Sequence, residues 1–276
     1  MQNEHSLTPE QIAFFETFGF LSFPGLMADK IDMITEEFEY TWQEKGGGHD
    51  GKGHDGKARS CLAQFIDQNK NLSALLDDPQ ILGIAKSLLG DDFNYMGSDG
   101  NYYVGDTAWH SDGWHDEIKH LKFAFYLDPV DQDNGALRVI PGSHHPGDTY
   151  AESLMKNCKD WGITGAEVPA LSLNTQPGDL LCFNHNTKHA AFGGSNRRRM
   201  FTINLCQRYP ENKISELREY IAGGARFWLD RAYGKTMMAN ADSERMIHLE
   251  QVMANDDHLA ELSRQARKQS SEPARS

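Results

Sequence analysis

His110 and Asp112 are the side chains in this sequence best suited to metal chemistry, because they lie two residues apart in the segment Thr-Ala-Trp-His-Ser-Asp-Gly. In an extended strand, residues i and i+2 project to the same side, so this imidazole and carboxylate can bind one metal ion. A third ligand must come from elsewhere, and His189 is suited to supply it. Two histidines and one carboxylate leave three coordination positions open, which is typical of non-haem Fe(II) sites that use oxygen.

An H-x-D pair by itself also occurs by chance, and further motifs make the pattern more specific. Pro-Gly-Ser-His ends at His144, Gly178-Asp179 opens the segment that leads to His189, and three arginines follow eight to ten residues later. In this order, and with the opening segment 7–21, these motifs resemble the phytanoyl-CoA dioxygenase family of Fe(II)/2-oxoglutarate-dependent oxygenases. The resemblance extends from about residue 7 to residue 209.

The resemblance implies that His110, Asp112 and His189 are the metal ligands. In the family the distal histidine comes eleven residues after the glycine of the Gly-Asp pair, and Gly178 plus eleven is His189. His185, four residues earlier, is the alternative third ligand. Related halogenases carry glycine or alanine in place of the carboxylate, so Asp112 favours hydroxylation.

The resemblance also implies a co-substrate, 2-oxoglutarate, held by an arginine at the head of a late strand. Arg198 is the expected anchor, because a guanidinium can bind a carboxylate through two parallel hydrogen bonds. Arg199, which would point to the opposite face of the strand, is the alternative. Asn101, Tyr103 and Thr202 are expected to add contacts to 2-oxoglutarate.

The implied reaction consumes O2 and 2-oxoglutarate, releases succinate and CO2, and hydroxylates an unactivated C–H bond of a small polar metabolite. Aromatic and acidic residues near the ligands suggest a cationic substrate, with Tyr102 and Trp114 as candidate contacts. One alternative is a non-catalytic, cupin-like protein that binds a metal or ligand. Another is a zinc hydrolase, since two histidines and an aspartate also hold Zn²⁺.

The composition disfavours several classes of partner. A formal net charge of −13 disfavours nucleic acids and anionic membrane surfaces. No apolar run approaches a membrane span, and the polar start lacks a signal pattern, so a cytoplasmic location is expected. The four cysteines are widely spaced, which disfavours a structural zinc site built from them.

Short strands with frequent turns predict a mainly β fold with flanking helices. The family fold is a double-stranded β-helix, a jelly-roll, cupin-like barrel. We expect one domain over residues 1–267, with a jelly-roll core at about 93–209. A helical C-terminal extension over 211–265 would cover the barrel or mediate a homodimer, and residues 268–276 are expected to be disordered.

Local patterns predict the main elements. Helices are expected from the Thr8 cap to Gly19, over 28–43 and over 79–89; strands are expected over 20–23, 94–97, 101–104, 121–127, 136–140, 171–174, 179–183 and 200–206. The glycine-rich segment 45–57 contains His-Asp-Gly-Lys twice and is predicted to be a mobile loop or a lid over the substrate. A second metal site at His49 and His54 is the alternative.

Overall fold

The computed structural model describes residues 5–44, 53–147 and 149–275. In these ranges ten strands form a six-stranded sheet in the order β1-β8-β5-β10-β3-β2 and a four-stranded sheet in the order β4-β9-β6-β7. The strands are β1 (Phe20–Phe23), β2 (Ser60–Ala63), β3 (Asn94–Tyr103), β4 (Thr107–His110), β5 (His120–Tyr126), β6 (Leu137–Val139), β7 (Leu171–Leu173), β8 (Leu180–Asn184), β9 (His189–Ala191) and β10 (Arg198–Cys206).

Every pairing between these strands is antiparallel. The two sheets pack on each other through a buried apolar cluster that includes Tyr126, Leu137, Phe183 and Met200. Two antiparallel sheets with interleaved strand order are the arrangement of a jelly roll. The predicted fold class is therefore confirmed, as two packed sheets rather than a closed ring of hydrogen-bonded strands in the described residues.

Helices cover the other face of the six-stranded sheet and enclose the largest apolar cluster, which contains residues from 7 to 259. The α-helices are α1 (Pro9–Phe18), α2 (Ile31–Glu44), α3 (Lys70–Ser73), α4 (Pro79–Leu89), α5 (Thr149–Glu152), α6 (Leu154–Trp161), α7 (Ile214–Ala222), α8 (Lys235–Asn240), α9 (Ser243–Ile247), α10 (Glu250–Met253) and α11 (Leu259–Gln269). No helix in the described ranges is long and apolar enough to cross a membrane.

The first helix begins and ends where its sequence predicts. The Thr8 hydroxyl accepts a hydrogen bond from the Gln11 backbone N–H, and the Gln11 side chain accepts one from the Thr8 N–H. Both bonds satisfy N–H groups that a helix start leaves without partners. Gly19 ends the helix at a φ of +82°, a left-handed conformation that favours glycine.

Four elements differ from the predictions because their local signals are weak. β3 is one ten-residue strand rather than two, and it passes Gly97 through a register shift at a φ of +106°. α2 begins at Ile31, since the preceding residues form turns. β2 and β9 have only four and three residues, too few to show an alternating pattern.

The C-terminal segment is helical, and its last residues make hydrogen bonds to distant parts of the chain. α11 extends through Gln269, the Ala274 N–H donates to the Arg226 carbonyl at 2.9 Å, and Arg275 donates to the Arg59 carbonyl at 3.0 Å. The expectation of a disordered tail therefore does not fit residues 268–275. Backbone and arginine hydrogen bonds to distant segments hold them, and tail composition does not reveal such bonds.

The glycine-rich segment lies partly outside the described residues, which resume at Gly53. His49 is among the residues that are not described, so its part in a lid or a metal site stays a prediction. His54 is described: its ring stacks on Tyr102, and its two nitrogens lie 3.0 Å from the Ser60 hydroxyl and 2.7 Å from the Asn196 carbonyl. Both nitrogens are thus engaged with protein atoms.

Candidate metal centre and its cavity

Strand pairing brings the two histidines of the candidate metal centre together. His110 ends β4 and His189 begins β9, and the two residues face each other in the antiparallel register. Asp112 follows two residues after β4, and its N–H donates to the His185 carbonyl at 3.0 Å. His110, Asp112 and His189 each offer one ligand atom, and these atoms lie within 4.8 Å of one another.

The two imidazoles have the orientation that a metal site requires. The Nδ1 atoms of His110 and His189 lie 2.8 and 2.9 Å from the carbonyl oxygens of Ala108 and Thr187, respectively. A carbonyl can only accept, so each Nδ1 carries the proton and each Nε2 keeps its lone pair. These Nε2 atoms lie 4.0 and 3.6 Å from the oxygens of Asp112.

Charge and burial keep Asp112 and His189 in their metal-binding protonation states. Burial would raise the pKa of the Asp112 carboxyl, but Lys122, with its Nζ 2.7 Å from Oδ1, and His189 hold it well below its usual range. Burial lowers the pKa of His189 to about 4, although Asp112 opposes that shift. A carboxylate and a neutral imidazole are therefore both present near pH 7.

One carboxylate oxygen of the candidate metal centre indicates that a cation binds there. The Asp112 Oδ2 is buried and has no hydrogen-bond partner among the described residues. An unpartnered buried carboxylate oxygen is costly unless a cation or a donor meets it. The donor set and this oxygen fit a divalent metal ion, so the residues present suit the group that the sequence implies.

The alternative ligand His185 belongs to a different cluster. Its Nε2 lies 3.2 Å from the Asn204 Oδ1, and its ring lies beside those of His115 and His120. Strand register thus groups His189, and not His185, with His110.

The metal centre opens into a cavity of about 850 Å³ that both sheets and the C-terminal helices line. Arg198, at the start of β10, points into it and is only 3% exposed. Its Nε and Nη1 atoms are buried without a hydrogen-bond partner among the described residues. The guanidinium lies 5.3 Å from the Tyr103 ring centroid, and a methyl group on Gly135 or Gly194 would overlap its Nη1. Two glycines therefore leave room for a cation that no described residue neutralises.

The neighbouring arginine has the opposite environment. Arg199 lies on the other face of β10, where its guanidinium is 2.5 Å from Asp128 and 2.8 Å from Glu39. Its pKa is raised chiefly by the hydrogen bonds to Asp128. Two carboxylates thus already bind Arg199, the alternative anchor, and Arg199 is not among the residues that line the cavity.

The other residues expected near 2-oxoglutarate have different positions. Tyr103 lines the cavity beside Arg198, and Thr202 lines it while donating its hydroxyl hydrogen to Asp99. Asn101 lies behind the described wall, where its Oδ1 accepts from the Arg59 Nε at 2.9 Å and its Nδ2 donates to Asp99. Tyr103 is therefore in direct reach of the cavity, whereas Asn101 acts on it through Arg59 and Asp99.

Several charged residues of the cavity were missed from the sequence, among them Asp99, Lys122 and Arg59. Asp99 shares a strand face with Asn101 and Tyr103, an i, i+2, i+4 series that could have identified it. Lys122 interrupts the apolar strand β5, and a charge within such a run is a usable signal. Arg59, whose side chain lies 3.3 Å from Asp99, follows the glycine-rich segment without any pattern.

The two candidate substrate contacts lie elsewhere. The Tyr102 hydroxyl donates to Glu39 at 2.6 Å, and its ring packs on Phe38 and Trp42. Trp114 is 47% exposed, and its indole N–H donates to Asp116 at 2.6 Å. Neither residue belongs to the described wall of the cavity. Tyr102 is turned away from the cavity because side chains alternate along β3 and the adjacent Tyr103 faces the cavity.

A jelly roll that holds two histidines and a carboxylate at one end of its sheets defines the class of non-haem metal oxygenases. The family model of phytanoyl-CoA dioxygenase (PhyH) matches residues 15–201, which is more than half of the chain. This protein therefore belongs to the phytanoyl-CoA dioxygenase family of Fe(II)/2-oxoglutarate-dependent oxygenases. Membership favours an oxygenase over the non-catalytic binding protein and the zinc hydrolase.

Individual relatives agree with this family. The ectoine dioxygenase of Stutzerimonas stutzeri (strain A1501) is 28% identical over 68% of this chain and 72% of its own length. The 2-aminoethylphosphonate dioxygenase of the uncultured bacterium HF130_AEPn_1 is 27% identical, over 70% and 80%. Among solved structures, EctD from S. alaskensis with bound Fe has a TM-score of 0.58 at 21% identity, over 75% of this chain and 79% of that one. The structural likeness supports the jelly-roll fold.

Proposed function

We propose that this protein hydroxylates an unactivated C–H bond of a small polar metabolite, with Fe(II) held by His110, Asp112 and His189 and with 2-oxoglutarate anchored by Arg198. Fe(II) bound there supplies the redox chemistry that activates O2. The balanced reaction converts the C–H bond, O2 and 2-oxoglutarate into an alcohol, succinate and CO2.

The observation that carries this proposal is the unneutralised Arg198 in the cavity of the metal centre. A buried guanidinium with two unpartnered N–H groups requires an anion, because each unsatisfied donor costs about 1–3 kcal/mol and more when it is charged. A dicarboxylate fits this demand: one carboxylate meets Arg198 while the other end reaches the metal. Arg199 has two carboxylate partners of its own and makes no such demand.

The protein residues contribute orientation and charge. Hydrogen bonds to backbone carbonyls hold the rings of His110 and His189 with Nε2 toward Asp112. Lys122 keeps Asp112 ionised, and a metal ion at this carboxylate would repel its ammonium, since like charges repel. Asp99 also lines the cavity, and Lys122 lowers the pKa of its carboxyl against the opposing effect of burial, so Asp99 could accept the displaced ammonium.

The size and charge of the cavity favour a small polar substrate. A volume of about 850 Å³ is within the usual range for small-molecule sites and has room for 2-oxoglutarate and a second small molecule. Arg59, Lys122 and Arg226 line it together with Asp99 and Glu219, so its wall offers partners for both signs of charge. Ectoine and 2-aminoethylphosphonate, after which two relatives are named, also carry both signs.

Part of the wall that selects the substrate lies beyond the family match. Tyr220 in α7 and Arg226 in the short 3₁₀ helix after it line the cavity, whereas the match ends at residue 201. The C-terminal segment therefore supplies part of the cavity wall. We expect the substrate to differ from those of the relatives where the wall residues of this segment differ.

The test is 2-oxoglutarate-dependent succinate formation by protein loaded anaerobically with Fe(II) and then exposed to O2, with and without a panel of small zwitterionic metabolites. We expect a slow basal rate that a true substrate raises, and a loss of at least about 1,000-fold in Asp112→Ala, because the metal loses its anionic ligand.

Asp116→Ala is the matched control, since Asp116 is an acidic residue of the same segment that contacts Trp114 rather than the metal centre. It should retain the basal rate. No succinate from the parent protein with any compound of the panel, or equal rates in the parent and in Asp112→Ala, would contradict the proposed function.

A further inference from the structure

A second histidine cluster lies beside the metal centre and has no part in the proposed reaction. His115, His120 and His185 each offer one nitrogen, and these three atoms lie within 4.8 Å of one another. The rings of His120 and His185 are 5.4 Å apart between centroids, and those of His115 and His185 are 5.7 Å apart. His120 and His185 are 1% and 2% exposed.

Each histidine of this cluster has a buried nitrogen without a partner. These atoms are the Nε2 of His115 and the Nδ1 atoms of His120 and His185, unpartnered among the described residues. One such atom in a native protein already needs an explanation, because buried polar groups are almost always hydrogen-bonded. Three such atoms, one on each histidine of a single cluster, point to a shared ligand that accepts lone pairs.

The tautomer of His185 follows from its neighbours. The Asn204 Nδ2 donates to the Gly97 carbonyl at 3.3 Å, which turns the Asn204 Oδ1 toward His185. An amide oxygen can only accept, so the His185 Nε2 carries the proton and its Nδ1 has the lone pair. The Tyr209 hydroxyl, 2.8 Å from the His120 Nε2, can accept a hydrogen bond in the same way.

The cluster is also electrically suited to a cation. Burial lowers the pKa of all three imidazoles, that of His185 to about 3, so the rings are neutral near pH 7. A histidine pair held by hydrogen bonds on the far nitrogens, as here to Asn204 and Tyr209, is the usual second layer of a metal site.

We propose that His115, His120 and His185 form a second metal site, specific for Zn²⁺ and structural in role. Three imidazole ligands with one further position are a common zinc coordination set, and neutral nitrogen ligands suit Zn²⁺ better than Mg²⁺ or Ca²⁺. Tyr220, whose ring centroid lies 5.0 Å from that of His120, closes the site on the side of α7.

Metal binding requires one adjustment, and the structure shows where it occurs. The His115 ring is stacked on the His120 ring at 3.6 Å with an interplanar angle of 6°, whereas two ligands of one tetrahedral ion diverge. His115 lies in the irregular segment between β4 and β5 and is the least buried of the three. His120 and His185 lie in or next to strands, so the rotation belongs to His115.

The consequence is a cross-link beside the catalytic carboxylate. The segment from Asp112 to His115 has no strand partner, and the Asn186 side chain holds His115 through its N–H and carbonyl. A zinc ion would join this segment to β5 and to the end of β8. It would thereby hold Asp112 in position without touching the substrate.

The experiment is a Zn²⁺ count by elemental analysis after the metal-stripped protein is dialysed against Zn²⁺. We expect two equivalents in the parent, one in Asp112→Ala, one in His120→Phe and none in the double variant. Co²⁺ added to Asp112→Ala should give the strong visible absorption of a four-coordinate ion, and His120→Phe in the same background should abolish it.

His145→Gln is the matched control, because the His145 ring also lies against that of a second histidine, His144, but His145 belongs to no triad of ligands in the described residues. It should keep both equivalents. His115→Gln, a change in an irregular segment, tests the site if His120→Phe fails to fold. Zinc that is absent from Asp112→Ala, or an equivalent in that background that survives both cluster variants, would overturn the proposal; the second result would leave adventitious surface zinc only.

Discussion

Two clusters of three potential metal ligands lie on either side of the short segment that joins β4 to β5, and they differ in charge and access. The cluster of His110, Asp112 and His189 contains a carboxylate and opens into the cavity with Arg198. In the other cluster, three imidazoles pack under Tyr209 and Tyr220.

The difference shows that the surroundings of a histidine decide which kind of metal site it can belong to. A metal that activates O2 needs open coordination positions, an anionic ligand and room for a co-substrate, and only the first cluster has all three. A structural metal needs buried ligands held by the fold, and His120 and His185 of the second cluster are buried in or next to strands. Three predictions test this contrast, from the largest expected effect to the smallest.

The first concerns 2-oxoglutarate, which should bind at the carboxylate-containing cluster through Arg198. Arg198→Met should weaken its binding to the Ni²⁺-loaded protein by about 100-fold, because about 3 kcal/mol of charge-assisted hydrogen bonding is lost. Isothermal titration calorimetry under these conditions measures binding without turnover. Arg197→Met is the control, since Arg197 contacts Glu39 and Tyr102 outside the cavity wall. Equal losses in both variants would show that the cavity does not discriminate between the arginines.

The second concerns protonation of the three-histidine cluster in the metal-free protein. His185 has a pKa of about 3 when folded and about 6.5 when unfolded, so the unfolded chain takes up the proton first as the pH falls. The stability gained by burying a neutral His185 is complete above pH 6.5 and declines below it, by about 2 kcal/mol at pH 5.

Between pH 7.5 and pH 5, the free energy of unfolding should therefore fall by about 2 kcal/mol less in His185→Gln than in the parent. Urea unfolding at both values measures this difference, and His145→Gln, which changes an exposed histidine, is the control. An identical loss in His185→Gln and the parent would mean that the cluster already carries a proton when folded.

The third concerns Lys122, the charge that distinguishes the first cluster. Lys122→Met should raise the Ni²⁺ affinity of that cluster by about tenfold, because the ammonium no longer competes with the metal for Asp112. The three-histidine cluster should bind Zn²⁺ as before. Competition with a chelator measures both affinities. Lys159→Met, on the exposed side of α6, is the control, and weaker Ni²⁺ binding in Lys122→Met would indicate that Lys122 supports the ligand set instead.

Predictions that rest on neighbouring residues agree with the structure. The Thr8 cap, the left-handed Gly19 and the α4 boundaries depend on hydrogen bonds within a few residues. The opposite strand faces expected for Arg198 and Arg199 rest on alternation along one strand, whereas the role of Arg198 as anchor stays a prediction. Each of these signals is contained in a segment short enough to be interpreted alone.

Predictions that depend on distant contacts are less complete. His185 was considered only as a rival ligand, because nothing in its segment reveals that His115 and His120 lie against it across β5 and β8. Asp99 and Lys122 meet in the cavity only because β3 and β5 flank β10. Tyr102 is not among the residues that line the described cavity, because alternation along β3 turns it away, and its role as a substrate contact stays a prediction.

The sequence by itself therefore supplied the H-x-D pair, since ligand chemistry and strand alternation act within short segments, and its ordered motifs carried the resemblance to the family that predicts His189 as the third ligand. The tertiary structure decided which histidines share a cluster, which arginine lacks a carboxylate and which walls the C-terminal helices supply. These features depend on strand register and helix docking, where a shift of one residue would move a side chain to the opposite face.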